Sequence, residues 1–344
     1  MKAAAARVAV LGAGLAGATC ARMLTDAGFN VQLFDKSRGV GGRLATRRAE
    51  WTAPDSSLQR ANFDHGAPGF NAHSQDFCAF VEQAHRDGLL ARWVPSMAPG
   101  SYAPLDAPAL WVPVPDMPAL CRAIAAGLPL QTGCTVDGLR REHGGWCLLS
   151  AGETVSTELD AVVLALPPPQ AAALLAPHQL AWAQRLQAMP MLPGWTLMGT
   201  TTEPDPGANT DAGWGLGWPT SGPLAWVVRN DAKPGRIRTP GQAQWVLHAT
   251  AAWSHTHLEA PAAEVQAALQ QALAVWLGRS LDWQHVAVHR WRYASVPRAA
   301  ATPGRCWWDA GTGLGVCGDA LGGAGVEGAW LSARALALAM TAAP

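Results

Sequence analysis

Residues Val8 to Arg43 read VAVLGAGLAGATCARMLTDAGFNVQLFDKSRGVGGR, and this stretch restricts the fold more than any other. An apolar run, Val8 to Leu11, leads into Gly12, Gly14 and Gly17. A helix-patterned segment follows, then a second apolar run, Val31 to Phe34, that ends at Asp35. Strand, glycine turn, helix, strand and acid in this order make a dinucleotide-binding βαβ unit. Gly12 suits the tight turn, Gly14 lets the backbone approach a pyrophosphate, and Gly17 lets the helix pack on the strands. Ala16 lies in the same turn, at the helix N-terminus that faces the phosphate charge. A carboxylate at Asp35 suits a ribose with free hydroxyls and would repel a 2′-phosphate, so NAD and FAD both fit. The spacing predicts an α/β chain with a Rossmann-type lobe.

Past Asp35 comes Lys36-Ser37-Arg38-Gly39-Val40-Gly41-Gly42-Arg43. A second glycine pair followed by Arg43 is foreign to a simple NAD fingerprint. It offers backbone N–H groups and a guanidinium for a second approach to a pyrophosphate, with Lys36 and Gly42 beside them. This pattern resembles the FAD-binding start of the amine-oxidase-like flavoproteins.

A chain of 344 residues exceeds one ordinary domain, and 49% hydrophobic against 15% charged residues permits a large buried core. The formal net charge is zero and no basic run marks nucleic-acid or membrane-surface binding. No uninterrupted apolar stretch reaches about 18 residues, so no spanning helix is expected. The apolar start is itself the first strand and phosphate loop, which signal cleavage would destroy; a cytoplasmic chain is the expectation. The seven cysteines form no CxxC pair and read as free thiols. His255 and His257 have poor helix spacing for a shared metal, and no metal is expected. The 17 tryptophans read mostly as core or interface anchors, with a minority available to line an aromatic pocket.

Along the chain, Asp76–Leu90 has helical spacing, Trp111–Pro115 is extended, and Asp116 is placed to cap a helix through Ala126. Leu128–Val136 and Gly145–Ser150 are strand-like, and Asp160–Leu166 is a buried strand stopped by Pro167-Pro168-Pro169. A helical stretch runs on to about Gln187. Alternating runs between Gly194 and Ala252 predict an antiparallel sheet, followed by a helix over Ala262–Leu277 and a strand over Val286–Trp291. The nucleotide-binding pieces are scattered, which predicts a discontinuous FAD lobe (1–70, 128–168 and 304–344). The second lobe (71–127 and 169–303) would carry a mixed or antiparallel sheet with flanking helices and the substrate site.

Further segments sharpen the resemblance. Gly318-Asp319-Ala320-Leu321-Gly322-Gly323-Ala324-Gly325-Val326-Glu327-Gly328-Ala329 resembles the C-terminal FAD motif of these flavoproteins. Asp64-His65-Gly66-Ala67 resembles their flavin-side loop. Val246-Leu247-His248-Ala249-Thr250, Trp291-Arg292-Tyr293 and the Asn230–Arg236 turn resemble segments of the renalases. The resemblance spans Val8 to about Met340. It implies non-covalent FAD, with Asp319 near the ribityl chain and pyrophosphate and the helix near Val326 aimed at the flavin pyrimidine edge. Gly318, Gly325, Val326, Glu327 and Ala329, together with His65, Gly66, Ala67 and Val136, are cofactor-side candidates on the same ground. One departure is plain: renalases follow His-Gly-Ala with Gln and an aromatic, where this chain has Pro68-Gly69-Phe70.

The resemblance implies oxidation of the 2- and 6-dihydro isomers of NAD(P)H, with hydride passing to FAD and O2 reduced to H2O2. The partners implied are a dihydronicotinamide dinucleotide and O2, with no protein, nucleic acid or membrane. A dihydropyridine that loses hydride becomes aromatic, so no general base is required, only an apolar slot and polar anchors. His248, Trp291, Arg292 and His65 are the substrate-side candidates, with Arg229 a weaker one. Each has a structural alternative: a satisfied core histidine, core packing, an ion pair, or a loop-shaping role. Amine oxidation is the rival reading, and it commonly uses a lysine near the flavin. The chain has only Lys2, Lys36 and Lys233, and Lys233 sits in a Lys-Pro-Gly-Arg turn that reads as exposed. A flavin-binding, redox-responsive protein without turnover is a third reading.

Overall fold

The computed structural model describes residues 5–53, 55–99, 101, 109–203, 213–297 and 305–342. Lys2 lies outside them. In chain order, β1 (Arg7–Leu11), α1 (Leu15–Asp26) and β2 (Asn30–Asp35) form the expected βαβ unit. A hairpin of β3 (Arg47–Thr52) and β4 (Leu58–Phe63) follows, then α2 (Gln75–Arg86), the antiparallel pair β5 (Leu90–Trp93) and β6 (Leu110–Pro113), and α3 (Ala119–Ile124). β7 (Leu130–Thr132) leads into a meander of β8 (Gly138–Glu142), β9 (Gly145–Ser150) and β10 (Glu153–Leu159). After β11 (Ala161–Leu164), prolines 167 to 169 end the strand and α4 (Pro168–Leu175) begins on them, with α5 (Leu180–Gln187) next.

The second half opens with β12 (Leu192–Thr202), β13 (Leu216–Gly217), β14 (Leu224–Arg229) and β15 (Gln242–Ala249). It continues with α6 (Ala251–Thr256), α7 (Ala262–Leu277) and β16 (Trp283–Ser295), and closes with β17 (Trp307–Asp309), β18 (Leu314–Val316), α8 (Asp319–Gly322) and α9 (Gly325–Ala342). Asp116 departs from its expected role. Pro118 occupies the N-cap of α3, and the Asp116 carboxylate instead accepts from Arg122 at 2.6 Å.

A six-stranded sheet has the order β17-β18-β11-β1-β2-β7, parallel except at β17. Its central strands are buried on both faces, which explains their unbroken apolar runs. On one face α1 and α9 cross closely; on the other α4 and α5 pack under Leu11, Phe34 and Leu164. Helices α2 and α3 join α9 in a further cluster around Leu15, Phe77, Leu120 and Trp330.

The second sheet, β13-β14-β15-β12-β16, is antiparallel, as its alternating pattern predicts. One face carries Trp195, Leu197, Val227 and Leu247 onto α7 through Val265, Leu269 and Leu273. The other carries Met198, Val228 and Val246 against Phe63, Trp93, Leu110 and Val112, which brings the β3–β4 hairpin and the β5–β6 pair onto it. No described helix is long and apolar enough to cross a membrane.

Candidate active site

The glycines of the first loop are required by contact. Gly12 has φ +100°, and a Cβ there would meet the Ala165 carbonyl oxygen at 2.5 Å. A Cβ on Gly17 would overlap the Gly12 carbonyl, so α1 rests directly on the turn. The second glycine pair is laid alongside: Gly14 bridges Gly41, Gly41 N–H donates to Ala13 O at 2.9 Å, and a Cβ on Gly42 would meet Gly14 Cα at 3.2 Å. Asp35 fastens the arrangement. Its Oδ2 accepts from Ala13 N–H at 2.6 Å and its Oδ1 from Ser37 N–H at 2.7 Å, a use of the carboxylate that the sequence does not announce.

Arg43 links the first motif to the last. Its guanidinium grips both carboxylate oxygens of buried Asp319, at 2.8 and 2.6 Å. The loop after β4 stacks on the same place: Ala67 N–H donates to Arg43 O at 2.9 Å, and a side chain at Gly66 would collide with that carbonyl. Three segments far apart in sequence therefore converge on the Arg43 backbone and side chain.

From the other side, the second sheet presents a row of directly opposed residues: Trp226, His248, Thr196 and His289. Opposed residues in adjacent strands share a face, so these side chains point together, with Trp291 two residues beyond His289. The His65 ring lies against this row, 4.8 Å from His289 edge-on and 5.2 Å from Trp291 nearly parallel. Trp291 Nε1 also donates to the His65 carbonyl at 3.1 Å. Thr196 Oγ1 and His248 Nδ1 lie 3.3 Å apart. Burial holds the His65 imidazole down to about pH 4, with His289 adding to the effect, and burial holds His248 down to about 3. Both rings are neutral at pH 7. His65 Nδ1 and His248 Nε2 are buried without a protein partner among the described residues.

Beneath the loop lies a buried ion cluster. Asp64 accepts from Lys233 Nζ at 3.1 Å, from Arg236 Nε and Nη2 at 2.9 and 2.7 Å, and from Thr46 Oγ1 at 2.6 Å. Burial pushes the Asp64 carboxyl up, but Lys233 and Arg236 outweigh it and hold it below its ordinary value. Burial lowers the Lys233 ammonium, against the pull of Asp64. Asn230 completes the join, accepting from Asp64 N–H at 3.2 Å and donating to Asn62 O at 2.8 Å.

Comparison with known proteins agrees with this geometry. Residues 10–84 match an NAD(P)-binding Rossmann-like domain, and residues 106–341 match the model of the flavin-containing amine oxidoreductases. The chain belongs to the flavin-containing amine oxidoreductase family. Similar solved structures include a candidate protoporphyrinogen oxidase from Exiguobacterium sp. 255-15 (TM-score 0.71, 12% identity, 98% of each chain covered). An oxidoreductase from Methanosarcina mazei is also similar (TM-score 0.63, 15% identity, 97% of this chain and 100% of that one). So is a putrescine oxidase redesigned at its cofactor site (TM-score 0.56, 15% identity, 98% of each). At these identities the likeness speaks for the fold.

As a member of this family the chain uses FAD, and its residues fit that cofactor. The close Gly14–Gly42 approach leaves bare backbone that would suit a pyrophosphate, and the buried imidazole nitrogens of His65 and His248 are polar atoms without a protein partner among the described residues. Gly12, Gly14, Ala16, Gly17, Asp35, Gly42, Arg43, Gly318 and Asp319 stand together as the group that could hold it. Lys36 is exposed beside Asp35. Val136, partly buried, packs on the core beneath the first sheet. Val326 and Ala329 are half-buried on α9, which begins at Gly325 with φ +70°.

Other expected residues are placed differently. The Glu327 carboxylate accepts from His73 and Ser74 N–H at 3.0 and 2.7 Å, at the start of α2, so it serves that helix. Arg292 points to the opposite face of β16 from Trp291 and is exposed, bidentate to Glu259 at 2.6 and 2.9 Å. Arg229 is buried between Glu203 and Asp231, over the Trp245 ring. Lys233 is not the exposed turn residue its neighbours suggest, for its side chain is wholly buried on Asp64. Pro68-Gly69-Phe70 leads out of the loop: Phe70 pairs with Trp111 by two backbone bonds of 3.0 and 2.8 Å, which docks the segment on β6. His289, Thr196 and Arg47 carry no local motif, and only strand register brings them to the site.

Proposed function

We propose that this protein is a renalase-like oxidase of the 2- and 6-dihydro isomers of NAD(P)H. The observation that carries the reading is the neutral aromatic wall of His65, His289 and Trp291, with His248 and Thr196 beside it. The donor loses hydride and becomes an aromatic pyridinium, so the step releases no proton that a base would have to take. Bound FAD supplies the two-electron acceptor, and O2 takes the electrons on with H2O2 as product. Against this demand the row Trp226, His248, Thr196 and His289 contains no carboxylate, and its imidazoles are uncharged at pH 7. Trp291 and His65, stacked on one another, would wall one side of a flat ring and exclude water, while His248 Nε2 is a buried polar atom without a protein partner among the described residues.

One observation favours the rival amine oxidase reading: Lys233 is buried in the second half of the chain, near enough to depress His248. Its ammonium is already held by Asp64, which leaves the first reading ahead. Anaerobic mixing of the holoprotein with a donor panel separates them. Rapid flavin bleaching by the 2- or 6-dihydro isomers, with peroxide formed on admitting air, is expected. Bleaching by primary amines alone would reverse the order.

A further inference from the structure

Among the described residues, one cation at the site has no carboxylate partner. Arg43 is paired with Asp319, Lys233 and Arg236 with Asp64, and Arg290 and Arg292 with Glu259. Arg47 has no carboxylate partner among the described residues, and it is exposed at the start of β3. Its place follows from strand geometry. Arg47, Ala49 and Trp51 alternate onto one face of the hairpin. Trp51 stacks on His285 at 4.8 Å, and Ala49 packs in the cluster that includes Ala287. Arg47 is paired with Phe63, two residues before His65, and continuing the alternation from Trp51 and Ala49 turns it toward the wall of His65, His289 and Trp291.

Resting on the oxidase reading above, we propose that Arg47 determines specificity at this site, its guanidinium binding the phosphate of an anionic donor and disfavouring a cationic amine. Burial lowers the His65, His285 and His289 imidazoles, and the positive charge of Arg47 adds to the effect at each ring. With the imidazoles neutral, Arg47 is the permanent charge an incoming donor meets. A guanidinium offers a planar fork to phosphate oxygens, and its field repels an ammonium.

The test uses holoprotein and the Arg47→Ala and Arg47→Lys variants, first checked for retained FAD. Two donors are compared: a dihydronicotinamide dinucleotide isomer and an uncharged N-alkyl dihydronicotinamide without phosphate. For Arg47→Ala the ratio of kcat/KM for dinucleotide over fragment should fall about tenfold or more, through KM, with partial recovery in Arg47→Lys. Binding of the unreactive NAD+ and of inorganic pyrophosphate, read by perturbation of the flavin spectrum, should weaken in parallel and weaken with salt. An unchanged donor ratio would overturn the proposal. If no dihydronicotinamide reduces the protein, the oxidase reading fails alone provided pyrophosphate still binds in an Arg47-dependent way. Pyrophosphate binding indifferent to Arg47 would remove the residue from the site whatever the substrate.

Discussion

His65 shows how one residue can be shaped by both sheets. Its backbone follows Asp64 into the turn over Arg43, while its ring lies on Trp291 and His289 of β16. The desolvated ring has its pKa at about 4 in the fold, against about 6.5 in an unfolded chain. Between these values the unfolded chain takes up a proton that the folded one refuses. Stability is therefore full above about pH 6.5 and declines as pH falls towards 4, by on the order of 3 kcal/mol from this residue. Replacing His65 by Asn should shrink the drop in urea midpoint between pH 7 and pH 4.5. An equal drop in both proteins would show that His65 is not a source of the acid sensitivity. The neighbouring His248 would still contribute its own share.

At the scale of elements, the glycine turn before α1 is the most legible part of the molecule, because its constraint is local. Gly12 needs its positive φ, and Gly17 has no room for a Cβ against the Gly12 carbonyl. Gly17→Ala should push α1 off the turn, so the purified protein would carry little FAD by its visible absorbance. Gly39→Ala, at a position with open space around it and ordinary φ, should keep its flavin. Full retention by Gly17→Ala would show that the turn yields more easily than these contacts allow. Sheet alternation was equally legible from Gly194 onwards. What the sequence hid is non-local. His289 and Thr196 become neighbours of His248 only once β15, β12 and β16 take their register. Lys233-Pro234-Gly235-Arg236 has the composition of a surface turn, yet the turn is drawn inward because both cations reach Asp64. Arg292 reads as a pocket residue from its neighbours, but strand alternation sends it to Glu259.

Over the whole molecule, the first and second halves of the chain meet at Asp64, Lys233, Arg236 and Asn230, all buried. One carboxylate faces two cations there, and the charge is tolerated because each group is hydrogen-bonded. Removing the carboxylate alone should be costly. Asp64→Asn would leave Lys233 and Arg236 facing each other without a counter-charge, at a cost of about 3–5 kcal/mol. Lys233→Met alone keeps the Asp64–Arg236 pair and should cost less. In the double variant one cation remains without a carboxylate, instead of two, so part of the Asp64→Asn loss should return. Unfolding of the four holoproteins by denaturant gives the coupling directly, and a non-additivity of about 1–3 kcal/mol is expected for groups in contact. Additive losses would mean that Asp64 and Lys233 contribute independently. The join between the halves would then draw on each of them separately, beside Asn230, Trp291 and the apolar packing around Phe63 and Met198.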